Sequence, residues 1–258
     1  MDLVKNNLND IYYELLKSLL YESEYMSTTK KGDLINEFIN ISFVLKNPIN
    51  CFATIRNMSF DYLKGEIEFY LSGSPFLKDI VKYAKFWENV TDDDRSVNSN
   101  YGKLLLHDRN LHNYTQFEYA KDMLLKNSDS KKAVMTIYSK ENAFKSNDNP
   151  CTMYLQFFIR DFKLNLFVKM RSSDIWFGIP YDVPFFVLIQ NKMLIEYNQE
   201  IKDYKIMLGN YFHQAGSLHL YQRNFVSARN IINTNTDVIF THQKDLFNEY
   251  IIKPLLQK

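Results

Sequence analysis

The sequence has only two cysteines, Cys51 and Cys151, and no Cys-x-x-Cys pair. That leaves no disulfide framework and no structural zinc spacing, and it suits a reducing compartment. No apolar run reaches the roughly 20 residues that cross a bilayer, so no membrane role is expected. The opening "MDLVKNNLNDIYYELL" begins with an acid and lacks a continuous apolar stretch, so it does not read as a signal peptide. Neither sign of charge is in excess, with 31 Lys and Arg against 30 Asp and Glu. A balanced chain has no global pull towards nucleic acid or an anionic surface, so no direct nucleic-acid contact is expected and any anion site must be local. The expected address is the cytosol of a cell or of a virus-infected host.

What is present is apolar and aromatic. At 46% hydrophobic and 16% aromatic, the 258 residues can bury a sizeable core and do not resemble a disordered chain. No repeat and no low-complexity linker interrupts them, so a single domain over residues 1–258 is expected. Leu8, Ile11, Tyr12, Leu15, Leu16 and Leu19 recur at helical spacing. "ISFVL" (41–45) reads as a strand, and 58–73 reads as a helix closed by Gly73. The polar run 91–102 reads as a loop, 114–127 as a helix and 133–139 as a strand. "CTMYLQFFI" and "KLNLFVKMRS", separated by the polar "RDF", give a hairpin signal. "VPFFVLIQNKMLIEYN" reads as a helix with Pro184 near its first turn, "SLHLYQ" as a strand, and "RNFVSARNII" as a closing helix. The pattern is α+β, a twisted sheet flanked by helices.

Several residues carry chemistry with more than one reading. Cys151 follows a proline at the start of a strand; it is either a small buried hydrophobe or a nucleophile whose thiolate needs nearby cations. Glu66 and Glu68 lie two apart on the 58–73 helix, so only one can face a site, and the residues alone do not say which. Asp182 sits between Tyr181 and Val183 in an apolar run, where an unpaired carboxylate costs several kcal/mol to bury. It either meets a ligand or caps a helix beginning near Pro184. His213 with His219 or Cys151 matches no zinc spacing.

The blocks "NPCTMYLQFFIRD", "RSSDIWFGIPYD" and "GSLHLY" resemble, in order and separation, the thymidylate synthase family. Its pattern is Pro-Cys, then Arg-Ser-x-Asp-x-x-x-Gly-x-Pro, then His-x-Tyr. "GEIEFYLSG" resembles the segment bearing the family's glutamate, here Glu66, and "NSNYG" its Tyr-Gly, here Tyr101 and Gly102. "SDSKK" stands where the family has Ser-Arg-Arg, and "TKKGDL" where it has Arg-Thr-Gly. The resemblance covers residues 28 to 225. Three departures are similar to the phage-type deoxycytidylate hydroxymethylase branch: Thr152 after the cysteine where a histidine is usual, Ser217 in place of the aspartate of Gly-Asp-x-His-x-Tyr, and Asp182 in place of an asparagine.

The resemblance implies a thymidylate synthase-like fold, with sheets packed back to back in a homodimer. It implies a pyrimidine nucleoside monophosphate as substrate and 5,10-methylenetetrahydrofolate as co-substrate, with no metal. Cys151 would add to carbon six of the ring, Glu66 would manage protons and water, and Arg171 would hold the phosphate near the thiolate, with Ser172 adding a donor. Lys131 and Lys132 would reach the phosphate in the partner's site, as the family's paired arginines do, with looser geometry because lysine lacks the guanidinium fork. Lys30 would have a similar role. Gln156 would orient the nucleotide, and His219 and Tyr221, on one face of a strand, would bind the sugar hydroxyl. Asp174, Gly178 and Trp87 would serve the folate, and Asp174 also reads as an N-cap before "IWFG". Asp182 would read the base: a carboxylate accepts from cytosine's amino group and, sharing one proton with the ring nitrogen, satisfies both. The expected product is 5-hydroxymethyl-dCMP. A divergent thymidylate synthase acting on dUMP, a CMP hydroxymethylase and a non-catalytic nucleotide-binding relative remain alternatives.

Overall fold

The computed structural model describes residues 2–29, 32–234 and 243–256. β1 (Asp2–Lys5) leads into α1 (Leu8–Tyr21), whose start is set by Asn7 accepting from the Asp10 amide. The apolar spacing in α1 buries Leu8, Ile11, Tyr12, Leu15, Leu16 and Leu19 as one stripe. β2 (Tyr25–Thr28) pairs antiparallel with β3 (Leu34–Leu45), and β1 lies parallel to β3. β3 is far longer than the five residues its sequence suggested, because "LINEF" extends the same ladder. After α2 (Phe60–Ser72) and the short α3 (Lys78–Val81) come α4 (Gln116–Lys126), β4 (Val134–Thr136), β5 (Thr152–Arg160) and β6 (Lys163–Asp174). The chain ends with α5 (Ile179–Glu200), β7 (Met207–Tyr221), α6 (Phe225–Thr234), α7 (Lys244–Phe247) and α8 (Lys253–Leu256).

The strands form a mixed seven-stranded sheet in the order β1-β3-β7-β6-β5-β4, with β2 on β3. The fold is α+β. The expected hairpin is β5 and β6, turned at Asp161 and Phe162, both with positive φ (50° and 56°). β4 is shorter than expected. Gln116 on α4 accepts from the Thr136 amide and donates to the Thr136 carbonyl, covering the outer edge of β4. The Ile137 amide still donates to the Met153 carbonyl, and the Tyr138 amide is shared between the Thr152 and Met153 carbonyls, so the ladder leaves its regular register there. No described helix is long and apolar enough to cross a membrane.

α5 begins at Ile179, five residues before Pro184. The cause is the turn ahead of it. Asp174 Oδ1 accepts from the amides of Trp176 (2.7 Å) and Phe177 (3.3 Å), and the Gly178 carbonyl accepts from the amides of Tyr181 and Asp182. The helix is thus nucleated at Gly178. Asp182 lies inside the first turn, which overturns the reading of Asp182 as a cap before Pro184. Asp174 closes a turn ahead of α5, so its reading as an N-cap holds only in this looser form.

Residue contacts group into two compact units. One comprises Met1–Met58, Asn165–Lys192 and Leu208–Lys258; the other comprises Ser59–Leu164 and Met193–Met207. In the first, β3 and β7 pair over ten positions, from Ile35↔Tyr221 to Leu45↔Tyr211. In the second, α2 is capped by Ser59, and it is closed by Gly73 at φ 65° as its sequence suggested.

Candidate active site

The Ser59–Leu164 unit carries Glu66, Trp87, Lys131, Lys132, Cys151 and Gln156. α2 separates the two glutamates. Glu68 is exposed beside Lys64 and Tyr83, whereas Glu66 is 8% exposed. Glu66 Oε1 accepts from the hydroxyls of Tyr62 (2.7 Å) and Tyr70 (3.4 Å). Trp87 Nε1–H in turn donates to Tyr62 Oη at 3.2 Å, so Trp87, Tyr62 and Glu66 form one hydrogen-bonded line. Burial pushes the Glu66 carboxyl up to about 7, against the opposing pull of the two tyrosine hydroxyls. A carboxyl titrating there can both give and take a proton near neutrality.

"NSNYG" braces this carboxylate. Asn100 donates to the carbonyls of Phe69 and Ser74, and Tyr101 stacks on Tyr70 with centroids 5.3 Å apart. A Cβ on Gly102 would stand 1.8 Å from the Tyr70 carbonyl oxygen, so only glycine lets this segment approach α2.

The raised Glu66 pKa has a stability consequence. The folded state holds the proton more tightly than the unfolded chain. Stability from this group is therefore complete below pH 4.5 and lost as pH rises through about 7. Glu66→Gln should remove that loss, leaving the variant more stable than wild type at pH 8 by on the order of 3 kcal/mol. Urea midpoints of both proteins at pH 5 and pH 8 check it; an equal pH response in the two would refute it.

Cys151 is half-buried just before β5, and Gln156 Nε2 donates to the Lys131 carbonyl at 2.9 Å. Lys131 and Lys132 are exposed. Gln156 thus ties β5 to the lysine loop. Lys30 falls outside the described residues.

The first unit carries Arg171, Ser172, Asp174, Gly178, Asp182, His219 and Tyr221. Asp174 and His219 are brought into electrostatic contact. Burial raises the Asp174 carboxyl, opposed by the His219 ring; burial lowers the imidazole, opposed by Asp174 and Glu37. The Ile175 amide donates to the His219 carbonyl at 3.0 Å, which fixes the Asp174 turn on β7. The rings of His219 and Tyr221 lie edge to face with centroids 5.3 Å apart, on one side of β7 as the two-residue spacing requires. Arg223 stacks on Tyr221 at 4.0 Å. Arg171 is exposed at the end of β6, while Ser172 and Asp182 are half-buried. A Cβ on Gly178 would stand 2.8 Å from the Asp174 carbonyl oxygen and 3.0 Å from Asp182 Oδ2. Gly178 therefore lets the turn carrying Asp174 close beside Asp182.

Two residues escaped the sequence reading. Arg56 holds its guanidinium 5.2 Å over Trp176, 5.3 Å over Phe177 and 5.6 Å over Tyr181, with Nε buried and without a described hydrogen bond. Such a stacked cation suits an anionic or planar aromatic group. "TIRN" has no periodicity or motif to announce it. Glu37 contacts Ser217 beside His219; its place opposite His219 depends on strand register, which local pattern does not supply.

His213 is buried, stacked on Phe43 at 4.7 Å and bonded to Tyr211 through Nδ1. Among the described residues, no group of three or more His, Cys, Asp and Glu is placed to hold a metal ion.

A family model described as thymidylate synthase matches residues 10–243, beyond both ends of the 28–225 stretch seen by motif. The deoxycytidylate 5-hydroxymethyltransferases of Enterobacteria phages T4 and T2 are each 32% identical over 202 residues, covering 76% of this chain and 79% of theirs. That of phage T6 matches to the same extent.

Proposed function

The chain belongs to the thymidylate synthase family and is a one-carbon transferase, and from that premise we propose that it converts dCMP to 5-hydroxymethyl-dCMP. The overall change joins dCMP, methylenetetrahydrofolate and water to give the hydroxymethyl nucleotide and tetrahydrofolate. The observation that carries the choice of base is Asp182. It is a half-buried carboxylate within the first turn of α5 and not the cap before it. Facing cytosine it accepts from the amino group and shares a proton with the ring nitrogen; facing uracil it sets oxygen against oxygen. Such mispairing costs roughly 1–3 kcal/mol, more when charged.

In this reading Cys151 adds to carbon six, which makes carbon five nucleophilic. Arg171 and Ser172 hold the phosphate, and the guanidinium favours the thiolate. Glu66 shuttles the proton and positions the water, a task suited to a carboxyl pushed up to about 7. His219 and Tyr221 take the sugar hydroxyl, and Gln156 steadies the nucleotide. Asp174 fits a pterin: Oδ1 is held by the turn amides, while Oδ2, with no hydrogen bond among the described residues, can accept from a ring N–H or amino group. The folate supplies a carbon at the oxidation level of formaldehyde; Trp87 and Gly178 help to shape its place.

The reading extends to the assembly. Residues 1–258 act as one catalytic domain, two copies pack sheet to sheet, and the exposed Lys131 and Lys132 reach the partner's phosphate. Lys30 contributes to the same phosphate. The enzyme works in the cytosol of an infected cell, supplying a modified base for phage DNA.

Incubation with dCMP or dUMP, side by side, with formaldehyde and tetrahydrofolate is the test. Hydroxymethyl-dCMP should form with no dihydrofolate. A dUMP-dependent absorbance rise from dihydrofolate would make the chain a thymidylate synthase; no product from either would make it a binding relative.

A further inference from the structure

The contact between Glu37 and Ser217 has a direct bearing on His219. Glu37 on β3 stands opposite His219 on β7, and Ser217 lies two residues before His219 on the same face. Ser217 Oγ donates to Glu37 Oε1 and lies 3.3 Å from His219 Nδ1. Ser27 Oγ donates to Glu37 Oε2 at 3.4 Å, across the β2–β3 ladder. A hydroxyl has one proton to give, and a carboxylate only accepts. Glu37 therefore takes the Ser217 proton. Ser217 Oγ is left as an acceptor towards the imidazole, and only a protonated Nδ1 satisfies it. A neutral imidazole with Nδ1–H has a bare Nε2.

We propose that Glu37, acting through Ser217, is a positioning residue that holds His219 as its Nδ1–H tautomer, so that Nε2 accepts a hydrogen bond from the nucleotide's 3′-hydroxyl. The inference rests on the functional reading above, since in dCMP the 3′-hydroxyl is the free sugar hydroxyl. The charged groups around the ring agree with it. Burial keeps the imidazole neutral although Asp174 and Glu37 both pull the other way, and Arg223 is drawn off towards Asp33 at 3.2 Å and the Tyr221 ring. The device also accounts for a carboxylate missing from the strand itself. Serine stands at 217, and the carboxylate that orders the ring comes from the neighbouring strand.

Removing Glu37 frees the Ser217 proton to turn towards Nδ1, which selects the Nε2–H tautomer and converts the acceptor into a donor. The experiment combines nitrogen-15 shifts of the His219 ring with calorimetric binding of dCMP and of 2′,3′-dideoxycytidine monophosphate, which lacks the hydroxyl. Wild type should show Nδ1 protonated and bind dCMP about tenfold more tightly than the dideoxy nucleotide. Glu37→Ala should show Nε2 protonated, lose about tenfold on dCMP and nothing on the dideoxy nucleotide, so that the preference disappears. Glu37→Ala/Ser217→Asp, with a carboxylate placed directly against Nδ1, should restore both the tautomer and the preference. If Glu37→Ala does not fold, Ser217→Ala cuts the same link and should abolish the preference.

A wild-type ring protonated at Nε2 would overturn the proposal. So would a variant that weakens both nucleotides equally, because a merely structural residue does that. Wild type that binds neither nucleotide would bring down the functional reading and the hydroxyl's part with it, while the ring shifts still judge Glu37's hold on the tautomer.

Discussion

Cys151→Ser should lower tritium release from carbon five of dCMP by at least about 10⁴-fold, some 5.5 kcal/mol of lost transition-state stabilisation. The thiolate is the nucleophile; a serine hydroxyl of nearly the same size has no comparable ionised form near neutrality. No other thiol can take over. Cys51 is fully buried, and burial drives its thiol far above the ordinary cysteine range. Because Cys151 is half-buried and the exchange is close to isosteric, the fold and the dCMP affinity should be nearly unchanged. That split, chemistry lost and binding kept, marks a residue acting on the ring and not on the scaffold. Undiminished tritium release in the variant would remove Cys151 from the chemistry.

Asp182→Asn should move the ratio of kcat/KM for dCMP over dUMP by at least about a hundredfold towards dUMP, or about 2.7 kcal/mol. The amide donates to uracil's carbonyl and accepts from its ring N–H, where the carboxylate can only accept. Asp182 also has a purely structural merit, a negative charge in the first turn of α5 that complements the helix dipole by about 0.3–1 kcal/mol. The two contributions separate cleanly. Loss of the charge lowers the melting temperature a little whatever the substrate, whereas base reading moves the substrate ratio. Competition between dCMP and dUMP in one reaction measures the ratio, and an unmoved ratio would reduce Asp182 to its part in the helix.

The parts of the fold that were legible from sequence are those with local causes. α1 is visible in the 3.6-residue spacing of its leucines, and the end of α2 in Gly73. The β5–β6 hairpin is visible in two β-rich runs around a polar break. Misplaced boundaries had causes that apolar periodicity does not carry. α5 starts at a turn built by Asp174 and Gly178, which outweighs the usual preference for proline near a helix start. β4 is shorter than its apolar pattern because the ladder leaves its regular register at Tyr138, whose amide is shared between two carbonyls of β5. The same division runs through the site. Family register picked Glu66, and burial on α2 distinguishes it from Glu68. Glu37 and Arg56 carry no motif, since their significance lies in a cross-strand register and in an aromatic stack assembled from residues more than a hundred positions away.

The pairing of β3 with β7 joins segments separated by roughly 160 residues of chain. At a synthesis rate of roughly 5–20 residues per second, β3 leaves the ribosome about 8–30 s before the strand that covers its edge exists. During that interval "LINEFINISFVL" is a long, β-prone stretch with one charge and only the short β1 and β2 as native partners. Closing so large a loop must also precede any gain from the ladder, which slows folding. The nascent chain is therefore most exposed to aggregation through its first third, and demand for chaperone binding should concentrate there.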